Sequence, residues 1–451
     1  MKRRHQAFLS LVITGSIHGM VHSLSLFLSP LNAEVARYFH LESIAGVTAF
    51  KTTYLLVYAA SNLVFGALTN RISARLTLGL GIILNGAAVM AFRFVPPQGI
   101  VMMHALWFVC AIGGGVYHPV ANVFITRLYP ERKGWALGVT GSGSGIGYAF
   151  GPFLTGFLSA FLLLSWRDIA LVFGALAVAA GAAALVWIRD IRDTGEGSPA
   201  AGSAGSSGSS DSPGSGGLAG TDAAARARVL GLSFGLMCFL AFVVVISGTR
   251  EIGMWTILDI SDFYVSGIRG APMRTAWIFF FMYLPAIFAQ PSVGSLSDRI
   301  GRRKLSVIAL LGYGTAMIVT AFVPGGLLVI PYVVMGFTQS SSTPLLEGLV
   351  ADYTTPRTRG LIFGIYITAI TGIGALGPLG GGVFLDFFGR TAESFRALFV
   401  IMGLMVCLGG GAMIFSGRMG ELCVPGRGAA GLAGTAAREH RRDAVLPPKS
   451  R

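Results

Sequence analysis

Long apolar runs separated by short polar stretches repeat along almost the whole chain. Each run has about 20 residues or more, the length that an α-helix needs to cross roughly 30 Å of hydrocarbon. They cover residues 7–29, 43–69, 74–95, 99–127, 134–164, 167–189, 229–257, 273–297, 304–323, 327–351, 359–388 and 395–416. The pattern predicts an all-α membrane protein with twelve transmembrane helices, divided six and six.

Composition supports a membrane protein over a soluble one. Of the 451 residues, 53% are hydrophobic and 12% are charged, and the mean hydropathy is +0.69. Soluble domains carry about 25% charged residues. The N-terminal sequence MKRRH and the run after it also fit a signal peptide, but this run is long enough to span a bilayer and further runs follow, so we interpret it as the first transmembrane helix.

The middle and the end of the chain differ from the apolar runs. Residues 194–228 contain GSPAAGSAGSSGSSDSPGSGG, and this density of Gly and Ser is typical of a flexible linker. The sequence therefore predicts an N-terminal six-helix bundle over 1–193, this linker, a C-terminal six-helix bundle over 229–416 and a basic tail over 417–451.

The net charge of +14 follows from membrane topology. The 34 Lys and Arg residues occur in short clusters between the apolar runs, not in one patch that would bind nucleic acid. If the N-terminus is cytoplasmic, most of them fall on the cytoplasmic side, as the positive-inside rule requires. We therefore expect both termini in the cytoplasm, the lipid bilayer as the surrounding medium, and no nucleic-acid partner.

Other chemistry leaves no clear signal in the sequence. The four cysteines lack paired spacing, so neither a disulfide framework nor a metal site is expected. No nucleophile motif, paired carboxylates or metal-ligand cluster stands out in any run. The glycine-rich GSGSGIG (141–147) resembles a phosphate loop but lies inside an apolar run, where small residues let helices approach closely. We expect no enzyme activity, no cofactor and no metal.

The two halves of the chain repeat each other. PERKGWALGV (130–139) matches PRTRGLIFGI (356–365), and the Gly-Pro pairs at 151 and 377 are 226 residues apart. Gly66 and Gly294 open two similar loops 228 residues apart. Parallel six-helix repeats are an architecture of secondary transporters, in which the binding site lies where the halves meet.

At these residues the chain resembles the major facilitator superfamily over nearly its whole length. GSLSDRIGRRK (294–304) matches the family's loop pattern Gly-x-x-x-Asp-Arg-x-Gly-Arg-Arg, whereas GALTNRISAR (66–75) has Asn70 and Ser73 in place of Asp and Gly. The resemblance implies that the loop carboxylate, here Asp298, steadies one closed state. It assigns conformational gating to Gly66, Asn70, Arg71, Gly294, Asp298, Arg299, Arg303, Gly151, Pro152, Gly377 and Pro378.

Two further motifs narrow the resemblance. GIGYAFGPFLTG (145–156) resembles the Gly-Pro motif of proton-coupled exporters, although Thr155 stands where glycine is common. The Tyr-His-Pro sequence at 117–119 resembles that of fosmidomycin-resistance-type exporters. The Gly-Pro pairs fit simple helix kinks as well as a moving interface between the halves.

Ionisable residues inside a membrane are costly and indicate a cavity or a partner. His18 and His22 share a helix face, and a carboxyl removed from water holds its proton more readily than one in water. The candidate proton carriers are Glu347, His118, His18 and His22. The candidate substrate-cavity residues are Arg250, Glu251, Lys51 and Asn122.

Each of these candidates has a structural alternative. The His118 ring would hydrogen-bond the carbonyl freed by Pro119, and Glu347 would pair with Arg250 or Lys51. The Lys51 side chain would extend to the membrane surface. Arg250 and Glu251 are adjacent, so their side chains should diverge. We expect each to have a separate partner, and the structural alternative places both near the outer end of their helix, partly in water.

The sequence thus predicts a secondary active transporter of small molecules that works by alternating access, most simply as a monomeric proton-coupled exporter in a bacterial inner membrane. A proton-driven importer of organic anions or carboxylates is the alternative. Arg250, Lys51 and the histidines outnumber the buried carboxylates, which favours organic anions or phosphonate-like molecules as the substrate. If the buried charges are paired, an uncharged amphiphile fits equally well. A non-transporting receptor is disfavoured because neither the linker nor the tail is long enough for a folded signalling domain.

Overall fold

The computed structural model of the protein describes residues 2–69, 71–189, 234–268, 275–354 and 359–416, which form helices and short connections without any strand. The predicted linker and basic tail lie outside these ranges, as does Asn70.

The chain forms two groups of helices, one before and one after the predicted linker. The first group is α1 (Lys2–Leu26), α2 (Asn32–Tyr38), α3 (Ile44–Leu68), α4 (Ala74–Ala91), α5 (Ile100–Gly115), α6 (Tyr117–Leu128), α7 (Lys133–Phe161) and α8 (Trp166–Trp187). The second group is α9 (Phe234–Asp262), α10 (Thr275–Tyr283), α11 (Ala286–Ile300), α12 (Arg302–Thr320), α13 (Val329–Asp352), α14 (Arg359–Gly374), α15 (Leu376–Phe388) and α16 (Ala392–Ala412). The all-α fold with two repeated halves is as the sequence predicts.

Within the described residues, eight helical segments are long and apolar enough to cross a membrane by length and composition, and residues Thr275–Gln290 form a shorter apolar segment. The halves meet along two sets of helices. In one set α3 packs against α14 and α15, and in the other α7 packs against α10 and α11. We call the end of the bundle where α1 begins the proximal end, and the end where α1 finishes the distal end.

Two of the predicted transmembrane runs are each divided by a proline. The helix break falls at Val116 before Pro119, and at Ala375 before Pro378. Proline has no N–H to offer and its ring crowds the carbonyl four residues earlier, so α5 ends at Gly115 and α14 ends at Gly374. Pro152, in contrast, lies inside the continuous helix α7.

The break at Ala375 is also a contact between the halves. The carbonyl of Ala375 accepts a hydrogen bond of 2.9 Å from the hydroxyl of Thr52 on α3. A backbone group at a helix break in the membrane needs such a partner because no bulk water is present there.

Glycines bring α1 and α7 into backbone contact. A Cβ added at Gly143 would lie 2.2 Å from the carbonyl oxygen of Gly15, and one at Gly147 would lie 2.1 Å from that of Gly19. We call these four residues the glycine seam. The GSGSGIG stretch is therefore a helix-packing surface, as predicted from its position in an apolar run.

The two loop motifs differ at the start of the helix that follows each of them. Gly301, before α12, has a φ of +101°, a conformation that favours glycine over any residue with a Cβ. Ser73, at the matching position before α4, has a φ of −72°, and its hydroxyl accepts a hydrogen bond from the N–H of Leu76. The departure of the first loop from the motif thus replaces a glycine turn by a side-chain N-cap.

Replacing Gly147 with alanine should destabilise the protein, since the new Cβ would meet the Gly19 carbonyl and force α1 and α7 apart. Overpacking of this kind costs about 1–3 kcal/mol, so the unfolding temperature of the purified protein should fall by several degrees. Gly138→Ala is the matched control because Gly138 lies on the same helix with nothing within 4 Å of the added Cβ. Equal unfolding temperatures for the two variants would contradict this account of the seam.

Candidate functional site: a central polar cluster in each half

Three histidines lie together in the N-terminal half. His18 and His22 come from α1, one turn apart on the same face as predicted, and His118 comes from α6 just beyond the helix break. The ring centroids lie 4.8 Å apart for His18 and His22, 5.0 Å for His18 and His118, and 5.7 Å for His22 and His118. We call these three residues the histidine cluster.

Hydrogen bonds orient the first two rings. His18 Nδ1 lies 2.7 Å from the carbonyl oxygen of Thr140 on α7, and since a carbonyl can only accept, Nδ1 carries the hydrogen. His18 Nε2 then presents a lone pair to His22 Nε2, which lies 3.1 Å away and donates to it when both rings are neutral. Tyr117 stacks on His18 at a centroid distance of 4.5 Å and covers its other side.

His118 contacts the cluster through its ring and makes no hydrogen bond within the described part of the chain. It therefore does not satisfy the carbonyl freed by Pro119, which was the structural alternative for this residue. Sequence reasoning also missed that His118 would join His18 and His22, because their proximity depends on how α1 and α6 pack.

A second cluster lies in the C-terminal half, where Arg250 on α9 reaches α13. Its guanidinium donates to the hydroxyls of Ser342, at 3.0 Å, and Thr343, at 2.7 Å, and it forms an ion pair with Glu251. Glu251 also accepts a hydrogen bond of 3.0 Å from the indole of Trp255.

The expectation that these two side chains pair elsewhere is wrong, and so is the structural alternative that places them near the outer end of their helix. Arg250 and Glu251 form an ion pair although they are adjacent, because both side chains are long enough for their charged groups to meet beside the helix. They are also buried near the middle of α9, not near its water-exposed end, because α9 continues to Asp262, several residues beyond the predicted run.

Glu347 lies on α13, one turn from Thr343 and on the same helix face, about 6 Å further along the axis towards the proximal end. It is half-buried and makes neither a hydrogen bond nor an ion pair within the described residues. Arg250 and Glu251 both interact with it electrostatically. Glu347 is therefore not the ion-pair partner of Arg250 or Lys51, which was the alternative for it. We call Arg250, Glu251 and Glu347 the charged cluster.

Tyrosines connect the two clusters across the interface between the halves. Tyr148 on α7 lies 4.4 Å from His22 between ring centroids and stacks on Tyr283 of α10 at 4.9 Å. Among the described residues, the buried hydroxyls of Tyr54, Tyr58 and Tyr283 have no hydrogen-bond partner. Buried polar groups are normally paired, so these three hydroxyls are exceptions to that rule.

Lys51 is enclosed on the distal side of this region and does not snorkel to the membrane surface as the alternative required. Its ammonium donates to the carbonyl of Ser25 and lies 5.6 Å from the Trp107 ring and 5.7 Å from the Trp255 ring. Lys51 and Asp259 line one small cavity of about 10 Å³ and interact electrostatically. The Lys51 ammonium is thus enclosed by a backbone carbonyl and two indole rings.

Asp259 is one of three carboxylates of the C-terminal half that bind the N-terminal half at the distal end. It accepts hydrogen bonds from the side chains of Ser29, at 3.3 Å, and Asn32, at 3.1 Å. Asp262, one turn further along α9, accepts a bond of 2.9 Å from the backbone N–H of Ala33.

Asp386 on α15 is the third of these residues, which we call the distal carboxylates. It accepts hydrogen bonds from the N–H groups of Ile44, at 2.9 Å, and Ala45, at 2.8 Å, the first two residues of α3. A carboxylate at a helix N-terminus is stabilised by the exposed N–H groups and the helix dipole. Sequence reasoning missed all three distal carboxylates because each lies near the end of an apolar run, where an acidic residue needs no special explanation.

Asn122 and the two Gly-Pro pairs lie outside both clusters. Asn122 is exposed on α6, one helical turn beyond His118 and on the same helix face. Gly151 packs against Ser23 of α1, and Gly377 packs against Ile252 of α9, so each Gly-Pro pair contacts the first helix of its own half. Pro152 and Pro378 follow these glycines directly.

The proximal loops carry the other predicted gating residues. Gly66, Arg71, Gly294, Arg299 and Arg303 lie at the helix ends beside them, and the three arginines are exposed. Asn70 and the Asp298 side chain fall outside the described part of the structure. The neighbouring Arg302, which the sequence did not single out, forms an ion pair of 2.5 Å with Asp352 at the end of α13.

Taken together, a helical bundle in two matching halves with polar clusters facing a shared interface defines a multi-pass membrane carrier. The profile of the Major Facilitator Superfamily matches residues 11–271 and 260–421, and the chain belongs to that superfamily.

Curated relatives include drug efflux pumps. The chain is 24% identical to multidrug resistance protein MdtG of Serratia proteamaculans over 365 residues, which are 79% of this chain and 80% of MdtG. It is 32% identical to multidrug efflux pump LfrA of Mycolicibacterium smegmatis over 117 residues, 26% of this chain. That match spans only 23% of LfrA, and the match to the MFS-type efflux pump MMF1 of Pseudozyma antarctica spans 22% of the relative.

Solved structures share the fold. A bacterial homolog of the human lysosomal transporter Spinster, in an inward-facing and unoccupied conformation, superposes with a TM-score of 0.69 at 15% identity, covering 92% of this chain and 97% of that one. The nucleoside transporter NupG superposes with a TM-score of 0.68 at 13% identity, covering 90% of this chain and 99% of that one.

Replacing Asp386 with alanine should loosen the distal contact at the start of α3. Hydrogen bonds to a charged group contribute about 1.5–3 kcal/mol each, so the amide hydrogens of Ile44 and Ala45 should exchange at least about tenfold faster in hydrogen–deuterium exchange. Glu393→Gln, which changes an exposed carboxylate on the next helix, should leave them unchanged. Unaltered protection of these amides in the Asp386 variant would show that the carboxylate does not hold them.

Proposed function

We propose that the protein is a proton-coupled exporter of small amphiphilic molecules, with its proximal end in the cytoplasm of a bacterial cell and the inner membrane around it. The observation that carries this proposal is Glu347, a half-buried carboxyl without a hydrogen bond among the described residues, one helical turn from the site that Arg250 binds.

Glu347 suits a proton carrier because its two protonation states would affect Arg250 differently. When Glu347 is ionised, Arg250 is attracted by two carboxylates, Glu347 and Glu251. When Glu347 is protonated, the attraction to Glu251 alone remains. Since Arg250 also binds Ser342 and Thr343 on α13, loading a proton would change how α9 and α13 hold together. A proton can drive a conformational change only through such a difference between states.

The paired charges favour an uncharged or weakly polar substrate over an organic anion. Arg250 forms an ion pair with Glu251, and the Lys51 ammonium already donates to a backbone carbonyl, so neither cation is free to attract a carboxylate. The interface between the halves instead offers aromatic faces and the unpaired hydroxyls of Tyr58 and Tyr283. This argues for ring-containing amphiphiles, and it agrees with efflux relatives that are named for multidrug resistance.

Alternating access would proceed by rocking of the two halves around this interface. The distal carboxylates hold the distal end of the halves together in the present conformation. Release of these bonds, with closure at the proximal loops, would open the site to the opposite side. One chain carries both halves, so a single copy suffices for transport.

Replacing Glu347 with glutamine should abolish proton coupling while the protein still inserts and folds, because the amide keeps the shape of the side chain but cannot carry a proton. The measurement uses proteoliposomes with a trapped pH dye and an imposed proton gradient, first with neutral and weakly basic aromatic dyes as substrates and then with organic anions. We expect substrate-dependent proton movement in the wild type and at least a tenfold lower rate in the variant. Glu42→Gln, at an exposed carboxylate, should transport normally.

The direction of proton flow separates the two transport modes. Protons moving against the substrate establish antiport, and therefore export. Protons moving with an organic anion would establish the importer and overturn the proposal. Normal proton-driven flux in the Glu347→Gln variant would remove Glu347 from the coupling mechanism.

A further inference from the structure

We propose that the histidine cluster is a binding site for a divalent transition metal ion of the Zn²⁺ and Co²⁺ class. The inference goes beyond proton-coupled transport and rests on the geometry of three imidazoles from two helices. Each of His18, His22 and His118 offers one ring nitrogen, and these three atoms lie within 4.8 Å of one another.

The spacing is close to that of a bound ion. Zinc–nitrogen bonds of about 2.0–2.1 Å in tetrahedral geometry place the ligand atoms about 3.3 Å apart. The Nε2 atoms of His18 and His22 are already 3.1 Å apart. His118 is half-buried and without a hydrogen bond among the described residues, so a rotation of its side chain can bring its nitrogen to the same centre.

The hydrogen bond of His18 prepares its ring for this role. Its Nδ1 donates to the carbonyl of Thr140, which leaves the Nε2 lone pair facing the cluster. Metal-binding histidines commonly donate their second N–H to a carbonyl or carboxylate, and that bond fixes both tautomer and orientation. The contact that orients His18 also ties the site to α7, so three helices support it.

The donor set selects the class of ion. Three neutral imidazoles suit Zn²⁺, Co²⁺, Ni²⁺ and Cu²⁺, whereas Mg²⁺ and Ca²⁺ require oxygen ligands. Three protein ligands also leave a fourth position for water or another small ligand, as in open zinc sites. The sequence showed no metal-ligand cluster because His118 is 96 residues from His22, and only the fold brings them together.

Metal binding gives the histidines a different role from the proton carriers suggested by the sequence. An imidazole that binds a metal must be neutral, so the ion and protons would compete for the same nitrogens. A bound ion would link α1 directly to α6 at the helix break beside Pro119, within the N-terminal half and away from Glu347.

The test is a titration of the purified full-length chain, free of any affinity tag, with Co²⁺. We expect one equivalent to produce saturable visible absorption of imidazole-bound Co²⁺, and Zn²⁺ to displace it. His118→Asn and His22→Asn should each weaken binding at least about tenfold. His104→Asn is the matched control, because His104 bonds to Thr53 outside the cluster at 2.9 Å, and it should bind like the wild type.

Two results would overturn the site: no saturable Co²⁺ spectrum in the wild type, or the same affinity in the His118, His22 and His104 variants. Unfolding temperatures without metal identify any variant that fails to fold, and a Zn²⁺-dependent rise in the unfolding temperature of the wild type, reduced in His118→Asn, gives a second measurement. Because the titration needs no transport, Glu347→Gln should bind Co²⁺ normally, so failure of the metal site and failure of proton coupling can be told apart.

Discussion

The backbone contact between α1 and α7 along the glycine seam underlies the site in the N-terminal half. The carbonyl of Thr140 can reach the His18 ring at 2.7 Å because the two helices touch where side chains are absent. The same approach lets the hydroxyl of Ser23 donate to the carbonyl of Gly147 at 3.1 Å. In a bilayer, where apolar side chains gain nothing by leaving lipid for protein, such close packing is a main source of helix association.

The two halves use one architecture for different electrostatic tasks. The N-terminal half gathers titratable imidazole rings, whereas the C-terminal half gathers an ion pair on α9 and, on α13, Glu347, which is unpaired among the described residues. Tyr148 and Tyr283 lie between these environments and contact both sides of the interface. A molecule bound there would meet a polarisable aromatic surface with an unpaired carboxyl nearby, not a strong fixed charge. This arrangement fits a carrier that must release what it binds.

The sequence was sufficient for the fold but only partly for the site. Apolar run length and the 226-residue repeat predict the helices and their division because both depend on local composition. The histidine cluster and the Arg250–Glu251 pair depend instead on helix rotation and side-chain reach. Hydropathy did not predict the extra length of α9, because the segment after residue 257 contains acidic residues and so falls outside the apolar run. This extra length is what places Arg250 in the middle of the helix. Those residues, Asp259 and Asp262, turned out to be structural partners of the other half.

The distal contacts constrain the amino-acid sequence of the two halves to different extents. Asp262 and Asp386 supply specific side chains, whereas Ala33 and Ile44 supply only their backbone N–H groups. As far as these bonds are concerned, nearly any residue can replace Ala33 or Ile44, and proline, which has no N–H, is the exception. These contacts therefore require an acidic residue in the sequence of the C-terminal half, whereas in the N-terminal half they require only that the residue is not proline.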